Sequence, residues 1–153
     1  VAEASTMVPD RPVADQGFRA ARWCWVRGLV RHAAGEPGSV ALLQRAVALS
    51  EVLGNADPGI LAVLARLHLD QGDPEAAEAA IARAVDVQDR VGNGFALVEL
   101  HALAARAAHA SGQAAQPHLA RARHAAARAA LPERSRAMLA LDTALTACRA
   151  VGV

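Results

Sequence analysis

Apolar residues along this chain recur at intervals of three or four positions, and short stretches rich in Gly, Pro, Asn and Asp separate the apolar segments. This interval is typical of amphipathic α-helices, and Gly just beyond a helix or Pro in its first turn commonly marks a boundary. The pattern predicts an all-α protein of about seven antiparallel helices. The predicted helices cover residues 15–34, 38–54, 58–71, 74–91, 94–111, 114–131 and 133–150.

The N-terminal segment differs from the rest. Residues 1–14 contain Pro9, Asp10 and Pro12 and show no apolar period, so we expect them to form a flexible arm. The remaining residues, 15–153, have a length that suits one domain. We therefore predict a single helical domain after the arm.

Internal repetition indicates how the helices are organised. Arg45-Ala46-Val47 recurs as Arg83-Ala84-Val85, 38 residues later. A second type of helix repeats at 38 or 39 residues, which makes Leu64, Leu103 and Leu141 equivalent positions that we expect to be buried. Because one helical hairpin cannot bury its own apolar face, the pattern predicts three and a half stacked hairpins. The same alignment assigns the packing row of the first helix to Trp23, Val26 and Val30.

Residues 61–84 resemble a tetratricopeptide repeat. The first helix of the motif matches at Leu61, Leu64, Ala65 and His68, its turn at Gly72-Asp73, and its second helix at Ala77, Ile81 and Ala84. His68 replaces the usual aromatic residue, and the period exceeds the usual length of about 34 residues. These longer hairpins resemble the helical repeats of large bacterial regulators, namely maltose-regulator-like activators and the antibiotic regulatory proteins of actinobacteria.

The resemblance implies a right-handed superhelix in which the first helix of each hairpin lines a concave groove. In such a groove the charged and imidazole side chains would be Arg31, His32, Arg66, Asp70, His101, His109 and Arg136, beside Cys24, Gly28, Val98 and Ala105. Only Asp70 opposes the three Arg residues. The sequence therefore predicts a groove that binds an anionic partner, either a protein or peptide or a small molecule, unless these Arg residues pair with carboxylates of their own chain.

Amino-acid composition and charge restrict the possible classes of fold and function. Ala supplies 40 of the 153 residues, Tyr is absent, and there are 2 Phe and 2 Trp, so a sheet protein is excluded. The net charge of +1 provides no strong field for nucleic acid or membrane, and no apolar run approaches the ~20 residues of a membrane span. Cys24 and Cys148 lie too far apart in sequence for a metal motif or disulfide framework. We expect reduced thiols and a cytoplasmic protein.

No set of residues suggests catalysis. None of the six His residues has a second His at the i, i+4 spacing of a helical zinc site, and no Ser lies in a strand-to-helix elbow. The chain is therefore interpreted as a non-catalytic binding module without cofactor or metal. The resemblance to the repeats of bacterial regulators implies that it is a ligand- or protein-sensing segment of such a regulatory protein. A scaffold for protein complexes is the alternative. His68 is expected to be buried with its ring hydrogen-bonded.

Two further surfaces have alternative interpretations. Arg121, His124 and Arg128 form a basic stripe, which complements the acidic face of the preceding hairpin better than it suits nucleic acid, because no aromatic residues are interleaved with it. The last helix bears an apolar stripe that no later hairpin in this sequence would cover, so we predict either end-to-end self-association through it or a further C-terminal segment that covers it. That stripe consists of Met138, Leu141, Leu145 and Cys148.

Overall fold

The computed structural model describes residues 17–53, 57–91, 93–132 and 135–149. Within these ranges the chain forms seven α-helices and no strand, which confirms the all-α prediction. Among these helices, none combines the length and apolar character needed to cross a membrane. The predicted arm, 1–14, lies outside the described residues. The helices are α1 Gly17–Ala33, α2 Ser39–Val52, α3 Pro58–Asp70, α4 Pro74–Val91, α5 Gly94–Ala110, α6 Gln116–Ala129 and α7 Arg136–Arg149.

Short polar side chains begin several of these helices. Asp57 accepts hydrogen bonds from the backbone N–H groups of Gly59 and Ile60 at 2.8 and 3.3 Å. Asp73 accepts one from Ala76 at 3.0 Å. Each of these aspartates precedes a Pro, which fits a first helical turn because its missing N–H would have no partner there. The boundaries predicted from such residues agree with the observed ones to within a few positions.

The first helix of each hairpin ends in the same turn. Gly35, Gly72 and Gly112 have φ values of 69°, 75° and 71°, a left-handed conformation that favours glycine. In each case the next residue donates its N–H to a carbonyl five positions earlier, as Asp73 does to His68 at 2.8 Å. This pattern is a Schellman motif, which satisfies carbonyl groups at the helix end.

The chain divides into two compact units, Val1–Asn55 and Ala56–Val153. In the first unit, α1 packs on α2 through small side chains, and Cys24 is fully buried. A Cβ added at Gly28 would lie only 3.0 Å from the Leu43 side chain, so glycine permits this close approach. The predicted packing row was wrong here, since Val26 and Val30 are 49% and 54% exposed and Trp23 is half-buried.

The second unit is built around α5. This helix packs on α4, α6 and α7 and touches α3, and its buried positions include Val98, Leu100, Ala102 and Leu103. The predicted burial of Leu64, Leu103 and Leu141 is confirmed, with exposures of 5%, 4% and 3%. The single domain predicted over 15–153 stays a prediction.

Two details of the second unit refine the predictions. His68 is buried as expected, but its Nδ1 lies 3.9 Å from Asp73 Oδ2, which is too long for the predicted hydrogen bond of the ring. On α7, Leu141 is buried, and Met138, Leu145 and Cys148 pack partly buried against the same core. Most of the stripe thus packs inside the unit, and self-association stays a prediction.

Candidate functional site

A single carboxylate lies among arginines from two other helices. Glu99 of α5 forms an ion pair with Arg66 of α3, and Arg136 of α7 donates a hydrogen bond to it at 3.4 Å. The Glu99 side chain is only 16% exposed. These residues line a cavity of 250 Å³, called here the Glu99 cleft, together with Ala102, Leu103, Arg106, Ala140 and Thr143.

Positive charge exceeds negative charge in the Glu99 cleft. Three guanidinium groups line it, and Glu99 is the one carboxylate among its lining residues. Burial lowers the pKa of Arg66, and the neighbouring Arg136 and Arg106 lower it further, whereas Asp70 raises it. Among the described residues, no carboxylate forms an ion pair with Arg106. The cleft thus retains an arginine with unused hydrogen-bonding capacity.

Helix geometry explains the arrangement. Glu99 and Arg106 are seven residues apart on α5, so they lie two turns apart on one face. Leu103 lies between them on that face and is buried, which anchors the helix beside the cleft. Arg136 is the first residue of α7, and the packing of α7 on α5 brings it beside Glu99.

The structure corrects the predicted acidic content of the site. Asp70, predicted to be the one acid facing the arginines, is exposed near the end of α3 and acts on Arg66 by electrostatic attraction. Glu99 instead pairs with Arg66 and Arg136 directly. The possibility that groove arginines pair with carboxylates of their own chain therefore holds for Arg66 and Arg136, and it holds also for Arg31, which pairs with Glu36. Arg106 is the residue that the prediction missed.

Two of the predicted groove positions on α5 were also wrong. Val98 and Ala105 are fully buried in the core that α5 shares with α6 and α7. His101 lines a different cavity, between α4 and α6, and His109 is half-buried in the last turn. The reason is rotation around the helix: Glu99 and His101 are two residues apart and therefore point to different sides.

Arg31 and His32 belong to the first unit and are placed there by the end of α1. Arg31 Nε lies 3.6 Å from Glu36 Oε2 in the turn before α2, and the backbone N–H of Glu36 donates to the Arg31 carbonyl at 2.8 Å. Arg31 thus links the two ends of its hairpin turn. His32 is exposed. Cys24 and Gly28, predicted to line the groove, are buried against α2.

The two cysteines and the guanidinium groups differ in the chemistry that their surroundings support. Burial raises the pKa of the Cys24 and Cys148 thiols, which opposes formation of a nucleophilic thiolate. In the described ranges, no three His, Cys, Asp or Glu side chains are grouped so that they could hold a metal ion. By contrast, guanidinium groups bind carboxylates and phosphates through paired N–H donors.

Sequence reasoning could have found Glu99 from one signal. It is the only acidic residue of α5, and it lies between two fully apolar neighbours, Val98 and Leu100. A carboxylate in such a segment requires a cationic partner when the helix is packed on both sides. Its partners could not be identified in the same way, because Arg136 lies 37 residues away in the chain.

No protein-family model, curated protein or solved structure matches this chain. The likeness to tetratricopeptide repeats therefore stays a prediction based on the residues that carry it.

Proposed function

We propose that this chain is a non-catalytic binding module that binds an acidic protein segment in the Glu99 cleft. The observation that carries the proposal is the meeting of Arg66, Arg106 and Arg136 around one carboxylate. Each arginine comes from a different helix, α3, α5 or α7. Because α3 and α7 both contact α5 and Glu99 pairs with Arg66 and Arg136, these two guanidinium groups are held in place before a partner arrives, which reduces the entropy lost on binding.

Glu99 indicates how a partner's carboxylate would be bound. It already binds Arg66 and Arg136, so the cleft presents guanidinium groups at spacings that suit a carboxylate. Arg106 has no ion-pair partner within the described residues, and Arg136 is 69% exposed. An Asp or Glu side chain of a partner would therefore bind Arg106 and share Arg136 with Glu99.

The size and charge of the cleft favour a peptide over nucleic acid. A cavity of 250 Å³ accommodates one acidic side chain and its neighbouring backbone, and Leu103 and Ala140 provide apolar contact beside it. Nucleic acid binding depends on many phosphate contacts along an extended basic surface, and the net charge of the chain is only +1.

The wider setting is part of the proposal. We infer that the hairpins stack in a right-handed superhelix and that the module is a ligand- or protein-sensing segment of a bacterial regulatory protein. The support is the resemblance of the repeats, together with the identical Schellman turns that end α1, α3 and α5.

Peptide titration with an Arg106 variant tests the proposal. A library of short peptides with varied acidic positions is titrated into the wild type by calorimetry, and the best binder into Arg106→Gln. Loss of a charge-assisted hydrogen bond of about 1.5–3 kcal/mol should weaken binding about tenfold or more. Arg123→Gln is the matched control, because Arg123 is exposed on α6 and lies outside the cleft.

The peptide titrations can either support or contradict the proposal. Weakened binding in Arg106→Gln, unchanged binding in Arg123→Gln and loss of affinity with added salt support the proposal. Equal affinity in both variants and the wild type, or a preference for basic or purely apolar peptides, contradicts it.

A further inference from the structure

A second cleft lies on another side of α5, between α4 and α6. Two cavities of 680 and 480 Å³ share Asp89, His101 and Arg121 among their lining residues, so they form one continuous depression, called here the His101 cleft. The larger cavity, near the start of α5, falls within the range of about 300–1,000 Å³ that is usual for small-molecule sites. None of its lining residues belongs to the Glu99 cleft.

The two walls of the His101 cleft carry opposite charges. The α4 wall contributes Glu78, Asp86 and Asp89 to the smaller cavity, which Arg121 of the basic stripe also lines. The charges do not balance along its length, however. In the larger cavity, Asp89 is the one acidic lining residue, and it is opposed by Arg121, His124, Arg128 and His101.

The basic residues of the larger cavity are available to a ligand. Arg121, His124 and Arg128 are spaced by three and four residues, so they share one face of α6. All three are exposed, and within the described residues none forms an ion pair. Leu97 and three Ala residues form an apolar floor, and Gly94 places the first turn of α5 at the same cavity. The positive end of the α5 dipole adds to the attraction for an anion.

The pKa of His101 depends on the charges around this cavity. Burial lowers its pKa, Arg121 and His118 lower it further, and Asp89 raises it. An anion placed beside Arg121 would offset the positive charges near the ring and favour its protonation. His101 would then add a further positive charge to the site that holds the ligand.

We propose that the larger cavity of the His101 cleft binds a small organic phosphate of about mononucleotide size. A phosphate monoester has three strong acceptor oxygens and a charge of about −1.5 to −2 at neutral pH. It can therefore accept hydrogen bonds from Arg121 and Arg128 at the same time, whereas a carboxylate has only two oxygens to share between them. The apolar floor accepts the organic part. The acidic α4 wall repels a continuing chain of phosphates, so a single small ligand fits where a nucleic-acid strand does not.

Titration with 5′-AMP tests this site. Histidine ring signals of the wild-type chain are followed by NMR as 5′-AMP is added, and affinity is measured by calorimetry in parallel. Binding should raise the pKa of His101, and the neutral analogue adenosine should bind at least tenfold more weakly. Replacing both Arg121 and Arg128 by Gln should weaken 5′-AMP binding by about a hundredfold, since each lost charge-assisted hydrogen bond costs about tenfold or more.

Control variants separate this site from the Glu99 cleft. Arg123→Gln changes an exposed arginine on the same helix that does not line the cavity, and Arg106→Gln changes only the other cleft. Both should bind 5′-AMP like the wild type. If the double variant fails to fold, Arg128→Gln alone is measured, with an expected loss of about tenfold.

Three outcomes overturn the proposal. They are the absence of 5′-AMP binding to the wild type at millimolar concentration, equal affinity in the wild type and the Arg121 and Arg128 variants, and equal affinity for adenosine. Because the acidic-peptide experiment uses Arg106, failure of either proposal leaves the other standing.

Discussion

Arg66 of α3 and Glu99 of α5 form an ion pair in which the carboxylate is mostly shielded from water. The same carboxylate accepts a hydrogen bond from Arg136 of α7, so one side chain connects three helices of the second unit. Glu99 thereby holds two arginines in the cleft and offsets part of their mutual repulsion. The stability of the unit and the preparation of the site for a partner consequently depend on the same residue.

Glu99→Gln should destabilise the second unit. The amide keeps the size of the side chain but leaves Arg66 and Arg136 without their carboxylate, and Arg66 is partly buried. The expected loss is about 1–3 kcal/mol in the free energy of unfolding, measured by urea denaturation. Asp142→Asn is the control, since Asp142 is exposed on α7 and outside the cleft. A loss in Glu99→Gln no larger than in the control would contradict the role of the pair.

The three equivalent leucines should contribute similar amounts to the free energy of unfolding. Leu64→Ala, Leu103→Ala and Leu141→Ala each remove a buried side chain, so each should cost about 2–5 kcal/mol. Leu139→Ala on α7 is a matched control, because Leu139 is 57% exposed and should cost less than about 0.5 kcal/mol. Urea denaturation of the four variants measures the difference. A cost at Leu141 equal to that at Leu139 would contradict the packing of α7 described here.

Helix boundaries and the burial of the equivalent leucines could be predicted from the sequence. Which side of some helices packs against its neighbours could not. Asp57 and Asp73 with the prolines after them set helix starts by local chemistry, so sequence suffices. On α1, however, Cys24 and Gly28 form the packing face while larger apolar residues stay exposed. Small side chains permit close helix approach, which the size of apolar residues does not reveal.

The candidate site was harder to predict for a related reason. Arg66 and Arg136 were identified because both map to groove positions of the repeat motif. Glu99 does not map to such a position, so it was assigned to no surface. A rotation of α5 by two residues decides whether Glu99 or His101 lies beside Arg66. The repeat pattern does not fix that rotation, since both sides of α5 are lined by Ala and Leu.

Ala130→Gly should stabilise the chain. Ala130 ends α6 with φ 48° and ψ 47°, and this left-handed conformation is unfavourable for a residue with a Cβ by roughly 1–2 kcal/mol. Glycine relieves that cost but increases the entropy of the unfolded chain, so the expected net gain is about 0.5–1 kcal/mol. Thermal denaturation should show a raised Tm. A lowered Tm would contradict this prediction. It would show that the backbone strain at Ala130 costs less free energy than the entropy that glycine adds to the unfolded chain.

The stability of the second unit should fall as pH falls below about 6.5, the ordinary pKa of His. The pKa of folded His101 is lowered by burial, Arg121 and His118, with Asp89 opposing them. The unfolded chain therefore takes up the proton first, and the contribution of His101 is lost between its unfolded and folded pKa values. Urea denaturation across this range should show a weaker pH dependence in His101→Gln. Asp89→Asn should show a stronger one, and the reverse order would contradict the assignment.

Arg106 should present an unpaired positive charge to a partner in the Glu99 cleft, and reversing that charge is the decisive test. Calorimetry compares the best acidic peptide, and the same peptide with its acidic residues changed to Lys, on the wild type and on Arg106→Glu. The wild type should prefer the acidic peptide at least tenfold, and Arg106→Glu should lose or reverse that preference. An undiminished preference for the acidic peptide in Arg106→Glu, with the variant folded, would contradict it.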